Sequence, residues 1–362
     1  MKKISCFIGS LTSGGAEHQM VILANFLSEK GYEVELVTYT DILDHYVVSY
    51  KVKRIRIAEN KSTIKKILRV FNYVLNTKVD CIISFMSRNN MLVLLPALFR
   101  KDIRIIAGER CVMFSAMSWY QRLNYSLLYN RADFLVPNSY TQKNQILNIN
   151  EKYKEKTVVI TNYTDYTLFD VRIPNNKIVK IGILARYAPQ KNYVRFVEVV
   201  KILKEKSSVP FQFVWYGNKE IGQDVPNKYY LHFSELIKEN GLEDVVVLNN
   251  HVQNVRDIIP QFDAMCLPSV GEGFSNAISE YICCGKPVLC SNVADNGFMV
   301  KNYINGFLFD PTDTDNMVIA IQDFLNLTEK EREKMCYESR KIAENIFDKN
   351  KFIESYIALI ER

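Results

Sequence analysis

No apolar run in this chain approaches the roughly 18 to 20 residues that span a bilayer. The longest, Met91 to Phe99, is short and contains Pro96. The opening Met1-Lys-Lys-Ile-Ser-Cys-Phe-Ile-Gly-Ser resembles a signal peptide only superficially, because its apolar stretch runs straight into Thr12-Ser-Gly-Gly15. A cytoplasmic protein without a spanning helix is therefore expected. The eight cysteines include no Cys-x-x-Cys pair, and several fall inside expected strands or helices. That pattern argues against a metal site or disulfide framework and for core thiols in a reducing compartment. No Gly-x-Gly-x-x-Gly follows a strand, so a dinucleotide fingerprint is not supported. No short-period repeat is visible, and no basic stretch is interleaved with aromatics as a nucleic-acid surface would be.

What is present is ordinary for a soluble globular chain: 362 residues, 48% hydrophobic and 24% charged. That length suits two domains with substantial cores. Charge is uneven. Residues 1–175 hold 24 Lys and Arg against 15 Asp and Glu, and the remainder holds 22 against 25. The first half thus favours an anionic partner and the second does not.

The most informative stretch is Gly271 to Pro287, Gly-Glu-Gly-Phe-Ser-Asn-Ala-Ile-Ser-Glu-Tyr-Ile-Cys-Cys-Gly-Lys-Pro. It lies between two short apolar runs, Asp263 to Pro268 and Pro287 to Cys290, and reads as strand, loop, helix, strand. The turn sets unpaired backbone N–H groups at a helix start, where they hold an anion. Glu272 lies in the loop and Glu280 about two turns further on, roughly the same side. One loop therefore offers amide donors to an anion and carboxylate acceptors to hydroxyls. A sugar attached to a phosphate presents both.

In chain order, Lys3 to Gly9 reads as a strand, Gly9 to Gly15 as a loop, Ala16 to Lys30 as a helix closed by Gly31, and Glu33 to Thr38 as the next strand. This is a βαβ unit with a glycine loop at the helix start, the place where doubly wound sheets bind ligands. Strand-like runs recur at Cys81 to Phe85, Ile103 to Ala107, Phe134 to Pro137 and Thr157 to Ile160. Tyr166 to Lys177 is polar and reads as a linker. A second α/β series has expected strands at Lys180 to Ala185, Phe211 to Tyr216, Val245 to Leu248, Asp263 to Leu267 and Val288 to Cys290. Its expected helices are Asn192 to Lys204, Lys228 to Asn240, Val255 to Pro260 and Phe274 to Cys284, and residues 315–362 read as two or three helices. The expected organisation is α/β throughout: residues 1–170, a linker at 171–177, a second domain at 178–344, and 345–362 as a final helical segment. A cleft is expected between the two domains.

Ala185-Arg-Tyr-Ala-Pro-Gln-Lys-Asn192 opens the second series as the glycine loop opens the first. Arg186 and Lys191, at a strand end and a helix start, suit a diphosphate. A solvated basic turn is the alternative. Taken together, residues 4–350 resemble a retaining glycosyltransferase of family 4, with the GT-B fold of two Rossmann-like doubly wound domains. The resemblance rests on Gly14-Gly15-Ala16-Glu17, Asn162-Tyr-Thr-Asp165, Arg186 with Lys191-Asn192, and Leu267-Pro268-Ser269 running into Glu272-Gly273-Phe274 and Glu280. Gly285-Lys-Pro287 and Asn305-Gly306 complete it. The pair Glu272 and Glu280 is the Glu-x7-Glu element of that family.

The resemblance implies roles residue by residue. Arg186 and Lys191 would hold the diphosphate of a nucleotide-sugar, Glu280 the ribose hydroxyls, and Glu272 with the amides of Gly273, Phe274 and Ser275 the transferred sugar. Gly14 and Gly15 would approach the diphosphate. Fixed cations and amides stabilise charge on the leaving diphosphate. The resemblance also implies transfer on one face, in which a donor phosphate oxygen would take the acceptor hydroxyl's proton and no protein base would be required. Glu109 or Arg110, at the end of the strand from Ile103, and His18, in the first turn after the glycine loop, would lie on the acceptor side. For the first two, a capping or salt-bridge role is an equal alternative, and a lone helix histidine is more often structural. Gly108 and Cys111 depart from the Ser-Glu-Arg-Asn of similar sequences. Val293 to Phe298 lacks the two glycines and Glu that relatives often carry, which leaves the donor-sugar contacts there open. Asp313-Thr-Asp315 resembles a metal-binding Asp-x-Asp but precedes a helix, so capping is expected. No metal or other cofactor is implied for the chemistry.

Lys51-Val-Lys-Arg-Ile-Arg-Ile57 continues to Lys61, Lys65, Lys66 and Arg69 with Glu59 the sole acid. Ile64, Ile67, Leu68 and Phe71 repeat at helical spacing. The segment reads as an amphipathic basic surface for anionic lipid headgroups, or as a strand followed by an exposed helix. The expectation is a transferase moving a hexose or N-acetylhexosamine, most simply from a UDP-sugar, to a lipid-linked glycan in the assembly of polysaccharide, capsule, lipopolysaccharide or glycoprotein. The enzyme would rest on the inner membrane face and use no nucleic acid. The alternatives are a non-catalytic nucleotide-sugar-binding partner of another transferase, and a phosphorylase or epimerase of the same fold, although no lysine pattern for pyridoxal is apparent.

Overall fold

A computed structural model describes residues 2–12, 14–40, 44–57, 62–110, 117–220 and 225–362. It divides into two compact units, residues 1–163 with 349–362, and residues 164–348. Each contains one wholly parallel six-stranded sheet.

In the first unit the strands are β1 (Lys3–Phe7), β2 (Glu33–Thr38), β3 (Lys53–Arg56), β4 (Cys81–Phe85), β5 (Arg104–Glu109) and β6 (Phe134–Pro137). They lie in the order β3-β2-β1-β4-β5-β6. Between them run α1 (Gly15–Glu29), α2 (Thr63–Asn76), α3 (Ser87–Ala97), α4 (Trp119–Ser126) and α5 (Tyr140–Ile149). The inner strands have no solvent face, which is why Cys81-Ile-Ile-Ser-Phe85 is a continuous buried run rather than an alternating one. Ile4 sits level with Val34 on one side and Cys81 on the other.

The strand expected at Thr157 to Ile160 is reduced to one bridge, Leu135 with Thr157. Val158 and Ile160 donate to the carbonyls of Leu135 and Pro137, at 2.9 and 3.2 Å. The return bond at the next position needs an N–H on residue 137, and a proline has none. The final helix, α13 (Lys349–Glu361), packs within this first unit. Lys2 donates to Ile360 O at 2.8 Å, and Tyr32 to the Glu361 carboxylate at 2.9 Å.

The second unit holds β7 (Val179–Leu184), β8 (Phe211–Gly217), β9 (Val246–Asn250), β10 (Ala264–Leu267), β11 (Val288–Ser291) and β12 (Gly306–Phe309), in the order β12-β11-β10-β7-β8-β9. Its helices are α6 (Tyr193–Lys206), α7 (Lys228–Glu239), α8 (Val255–Ile258), α9 (Asn276–Cys283), α10 (Asn296–Met299), α11 (Thr314–Leu325) and α12 (Glu329–Ile346). Strand β12 was not foreseen. It begins on Gly306, where a Cβ would lie 1.9 Å from Val288 O, so this pairing demands glycine.

The polar stretch expected as a linker is fastened to the second unit at its start. Arg340 donates to Phe169 O and Cys283 O, both at 2.8 Å. The wholly buried Lys286 donates to Arg172 O at 2.6 Å and Pro260 O at 3.1 Å, and its burial lowers the ammonium's pKa. Gly285, at φ 64°, clears Val171, whose Cγ1 would be 2.8 Å from a Cβ. Seven cysteines are buried free thiols. The eighth, Cys111, lies outside the described residues.

Candidate active site

Strand order reverses between β10 and β7 in the second sheet, since β7 leads outward to β8 and β9 and β10 leads the other way to β11 and β12. In open α/β sheets the loops at such a reversal form the ligand crevice. Here they are residues 185–192 after β7 and 268–275 after β10, the two stretches that carry Arg186, Lys191 and Glu272.

The two loops are joined directly. Val270 N donates to Gln190 O at 3.0 Å and Gln190 Nε2 to Gly271 O at 2.7 Å. These bonds set Lys191 Nζ 2.6 Å from Glu272 Oε1, with the side chains 13% and 11% exposed. Lys191 closes a short turn, and Asn192 follows in the left-handed region at φ 59° and ψ 31°, anchored by its amide to Pro311 O at 2.9 Å. An asparagine tolerates that conformation better than most residues. Gly273 is half-buried and Phe274 is buried, its ring edge-on to Phe347 at 6.4 Å. Ser275 caps α9 by accepting from Ile278 N at 3.4 Å.

Helix α9 is held against the end of β7 by Tyr281, whose hydroxyl accepts from Leu184 N at 2.9 Å. Glu280 is half-buried. Burial pushes its pKa up to about 7. Arg186 is exposed. The structure therefore brings Lys191 and Glu272 into contact and leaves Arg186 outside that pair. Gln190 and Tyr281, which fix the arrangement, carry no recognisable signature in the sequence.

In the first unit the reversal lies between β1 and β4. Gly14 N donates to Thr12 O at 2.8 Å, and Gly14 O accepts from His18 N at 3.0 Å and from Tyr46 Oη at 3.2 Å. A Cβ on Gly14 would lie 2.1 Å from Glu17 Oε2, so a carboxylate lies against the loop expected to receive a diphosphate. Gly15 is the first residue of α1. His18 remains exposed, stacked on Tyr46 at 4.7 Å, and His45 meets the same ring edge-on at 4.9 Å. Packing around the imidazole and repulsion from His45 lower its pKa.

Glu109, expected on the acceptor side, has its carboxylate enclosed by protein. Glu109 is 1% exposed and accepts from Ser87 Oγ at 2.9 and 2.7 Å, from Asn90 Nδ2 at 3.3 Å and from Tyr129 Oη. Burial pushes its pKa up to about 7, against the pull of Ser87, Asn90 and the Arg110 charge. Arg110 lies 3.8 Å over the Phe85 ring and donates to Tyr356 Oη at 2.5 Å and Ile160 O at 3.4 Å. Asp313 caps α11 through Asn316 N at 3.0 Å.

The basic segment divides into two parts. Arg54 and Arg56 share one carboxylate, Asp44, at 2.9 and 3.1 Å, so both arginines of the β3 half are tied to the sheet edge. The α2 half buries Val70 and Val74 and exposes Ile64, Ile67 and Leu68 at 72%, 43% and 61%. Glu59 and Lys61 lie outside the described residues. Among the described residues no helix is long and apolar enough to cross a membrane.

The family described as "Glycosyl transferases group 1" matches residues 168–342, nearly all of the second unit. A Campylobacter jejuni protein, N-acetylgalactosamine-N,N'-diacetylbacillosaminyl-diphospho-undecaprenol 4-alpha-N-acetylgalactosaminyltransferase, is 26% identical over 315 residues, covering 81% of each chain. An Escherichia coli protein, UDP-Gal:alpha-D-GlcNAc-diphosphoundecaprenol alpha-1,3-galactosyltransferase, is 30% identical over 139 residues, 38% of this chain and 34% of that one. The solved structure of Anabaena HepE in complex with UDP and glucose matches with a TM-score of 0.80 at 15% identity, covering 100% of both chains. The fold is thus the two-domain α/β glycosyltransferase fold, GT-B. The matched family and the named activities of the relatives indicate glycosyl transfer as the activity of this chain.

Proposed function

We propose that this glycosyltransferase is a retaining enzyme of the family 4 type that moves a hexose or N-acetylhexosamine from a UDP-sugar to a hydroxyl of a glycan carried on a lipid diphosphate. The single observation that carries the site assignment is the ion pair of Lys191 with Glu272 at the sheet reversal, 2.6 Å apart and inside the matched region. A cation and a carboxylate side by side are what a donor requires where its diphosphate meets its sugar. Lys191 and Arg186 would hold the diphosphate, Glu272 and the amides of Gly273 to Ser275 the sugar, and Glu280 the ribose hydroxyls. The bond from the anomeric carbon to the diphosphate oxygen breaks, and the acceptor oxygen bonds to that carbon on the same face. The acceptor's proton passes to a donor phosphate oxygen, and UDP leaves. Lys191 and the helix-start amides stabilise the charge that develops. Neither metal nor other cofactor has a part in these steps.

The acceptor class is supported by the undecaprenol-diphosphate substrates in the names of the Campylobacter jejuni and Escherichia coli relatives. The exposed apolar and basic face of α2 would rest on anionic lipid at the cytoplasmic membrane surface. His18 would lie on the acceptor side. The test is a screen of UDP-, GDP- and ADP-sugars with a bacterial lipid extract, reading transfer of label to lipid. Label transfer from a UDP-sugar that vanishes in Lys191→Ala is expected. Tight UDP binding with neither transfer nor donor hydrolysis would instead mark a non-catalytic partner.

A further inference from the structure

The reversal point of the first sheet holds a cation, Arg88, with no hydrogen bond or ion pair among the described residues. Strand β4 ends at Phe85 and α3 begins two residues later, after Met86 at φ 80°. In the first turn of α3 three of four side chains are buried and tied down. Ser87 Oγ binds the Glu109 carboxylate. Asn89 donates to Phe85 O at 2.8 Å and accepts from Tyr39 Oη at 2.8 Å. Asn90 donates to Gly108 O at 3.1 Å and accepts from Ser84 Oγ at 2.7 Å. Behind them Asn124, wholly buried, gives its amide to Ser87 O at 2.7 Å and leaves its own oxygen without a donor among the described residues.

The fourth residue, Arg88, is exposed and has no hydrogen bond or ion pair among the described residues. It stands beside Tyr39, whose hydroxyl is raised in pKa by burial and eased back by the Arg88 charge. Tyr39 also closes the wall on the other strand of the reversal, because its N–H donates to Gly9 O at 3.2 Å. A Cβ on Gly9 would touch Tyr39 Oη at 3.4 Å and Asn89 Oδ1 at 3.6 Å. The loop after β1 and the turn after β4 thus share one polar wall, formed by Gly9, Tyr39 and Asn89. The frame spends Ser87, Asn89 and Asn90 on fixing this turn and leaves a guanidinium projecting where open sheets bind ligands. A planar fork of donors recognises phosphate oxygens two at a time, which an ammonium does not.

We propose that Arg88 is the anchor for the diphosphate of the lipid-linked acceptor. This inference rests on the lipid-diphosphate reading above. It differs from the acceptor-side residues expected from sequence, since Glu109 serves here to hold Ser87 and Arg110 is occupied by Phe85 and Tyr356.

The test measures binding of farnesyl diphosphate, inorganic pyrophosphate and farnesol by calorimetry, with UDP saturating so that the donor site is filled. Wild type, Arg88→Ala and Arg88→Lys are compared, and UDP affinity is measured for each. Arg88→Ala is expected to weaken farnesyl diphosphate by about 10- to 100-fold, the worth of one charge-assisted pair, with Lys intermediate and UDP unchanged. Tighter binding of farnesyl diphosphate than of pyrophosphate assigns the site to a lipid diphosphate, and equal binding of the two overturns the lipid part. Farnesyl diphosphate binding that is absent in wild type, or equal in wild type and Arg88→Ala, overturns the proposal. If no sugar is transferred by wild type while Arg88-dependent diphosphate binding persists, the functional reading falls and the anion site stands. Arg88 has no hydrogen bond or ion pair to lose among the described residues, so all three proteins should melt within about 2 °C of one another.

Discussion

Replacing Glu272 by Gln should strengthen the binding of UDP while nearly abolishing sugar transfer. Lys191 Nζ and Glu272 Oε1 are 2.6 Å apart, and both side chains are close to buried. At an effective dielectric of 20 their attraction is about 6 kcal/mol before solvation is counted. A diphosphate that needs Lys191 must draw the ammonium away from this carboxylate or share it, and in either case meets a negative charge beside the cation. Desolvation removes most of the gross attraction, and close pairs of this kind retain a net of order 1 to 2 kcal/mol. Freeing the lysine should therefore tighten UDP by about 5- to 30-fold. The sugar of the intact donor, meanwhile, loses the carboxylate that accepts from its hydroxyls, and loss of such a polar contact costs about 10²- to 10³-fold in rate. Calorimetry with UDP and initial rates with the UDP-sugar and lipid extract give the two numbers. Lys191→Met is the control and should weaken UDP by at least about tenfold. If Glu272→Gln binds UDP no more tightly than wild type, the pair does not contest the diphosphate and the assignment of Lys191 to it is wrong.

Three further outcomes follow from single observations. Glu109 keeps its proton in the folded protein up to about pH 7 but loses it near 4.5 when unfolded. Its contribution is thus present in full below about pH 4.5 and is lost as pH rises through 7, so Glu109→Gln should flatten the fall in stability between pH 5 and 8 by about 3 kcal/mol in urea melts. An unchanged slope would show that this carboxyl ionises normally. Gly306→Ala drives a methyl to within 1.9 Å of the Val288 carbonyl and should cost about 3 kcal/mol or more; a melting temperature within about 2 °C of wild type would refute that reading of the β11–β12 pairing. Flotation with vesicles rich in anionic phosphatidylglycerol should fall when Lys65 and Arg69 are neutralised or when Ile64 and Leu68 become serine, whereas removing Arg56, already paired with Asp44, should matter little. Equal flotation of all variants would count against α2 as the contact surface.

What the sequence revealed, and what it hid, divides along a physical line. Strands buried on both faces announce themselves as unbroken apolar runs, so β4 and β11 were legible from Cys81 to Phe85 and from Val288 onward. The glycine turn before α9 was legible because turn chemistry is local. Each missed feature depends on a neighbour distant in sequence. Thr157 to Ile160 has strand composition, but its ladder ends because its neighbour in the sheet is Pro137. Gly306-Phe-Leu-Phe309 is too short to call until β11 lies beside it. Glu109 reads as an acceptor-side, capping or salt-bridging carboxylate until Ser87, Asn90 and Tyr129 close around it. The same holds at the site. Lys191 and Glu272 were separately visible, but their pairing spans 81 residues and follows only from the sheet reversing between β7 and β10. Motif matching assigns one role to each residue and treats the roles as independent. The geometry makes the two charges compete, so their effects on nucleotide and on sugar should have opposite signs, which no residue-by-residue reading of the sequence implies.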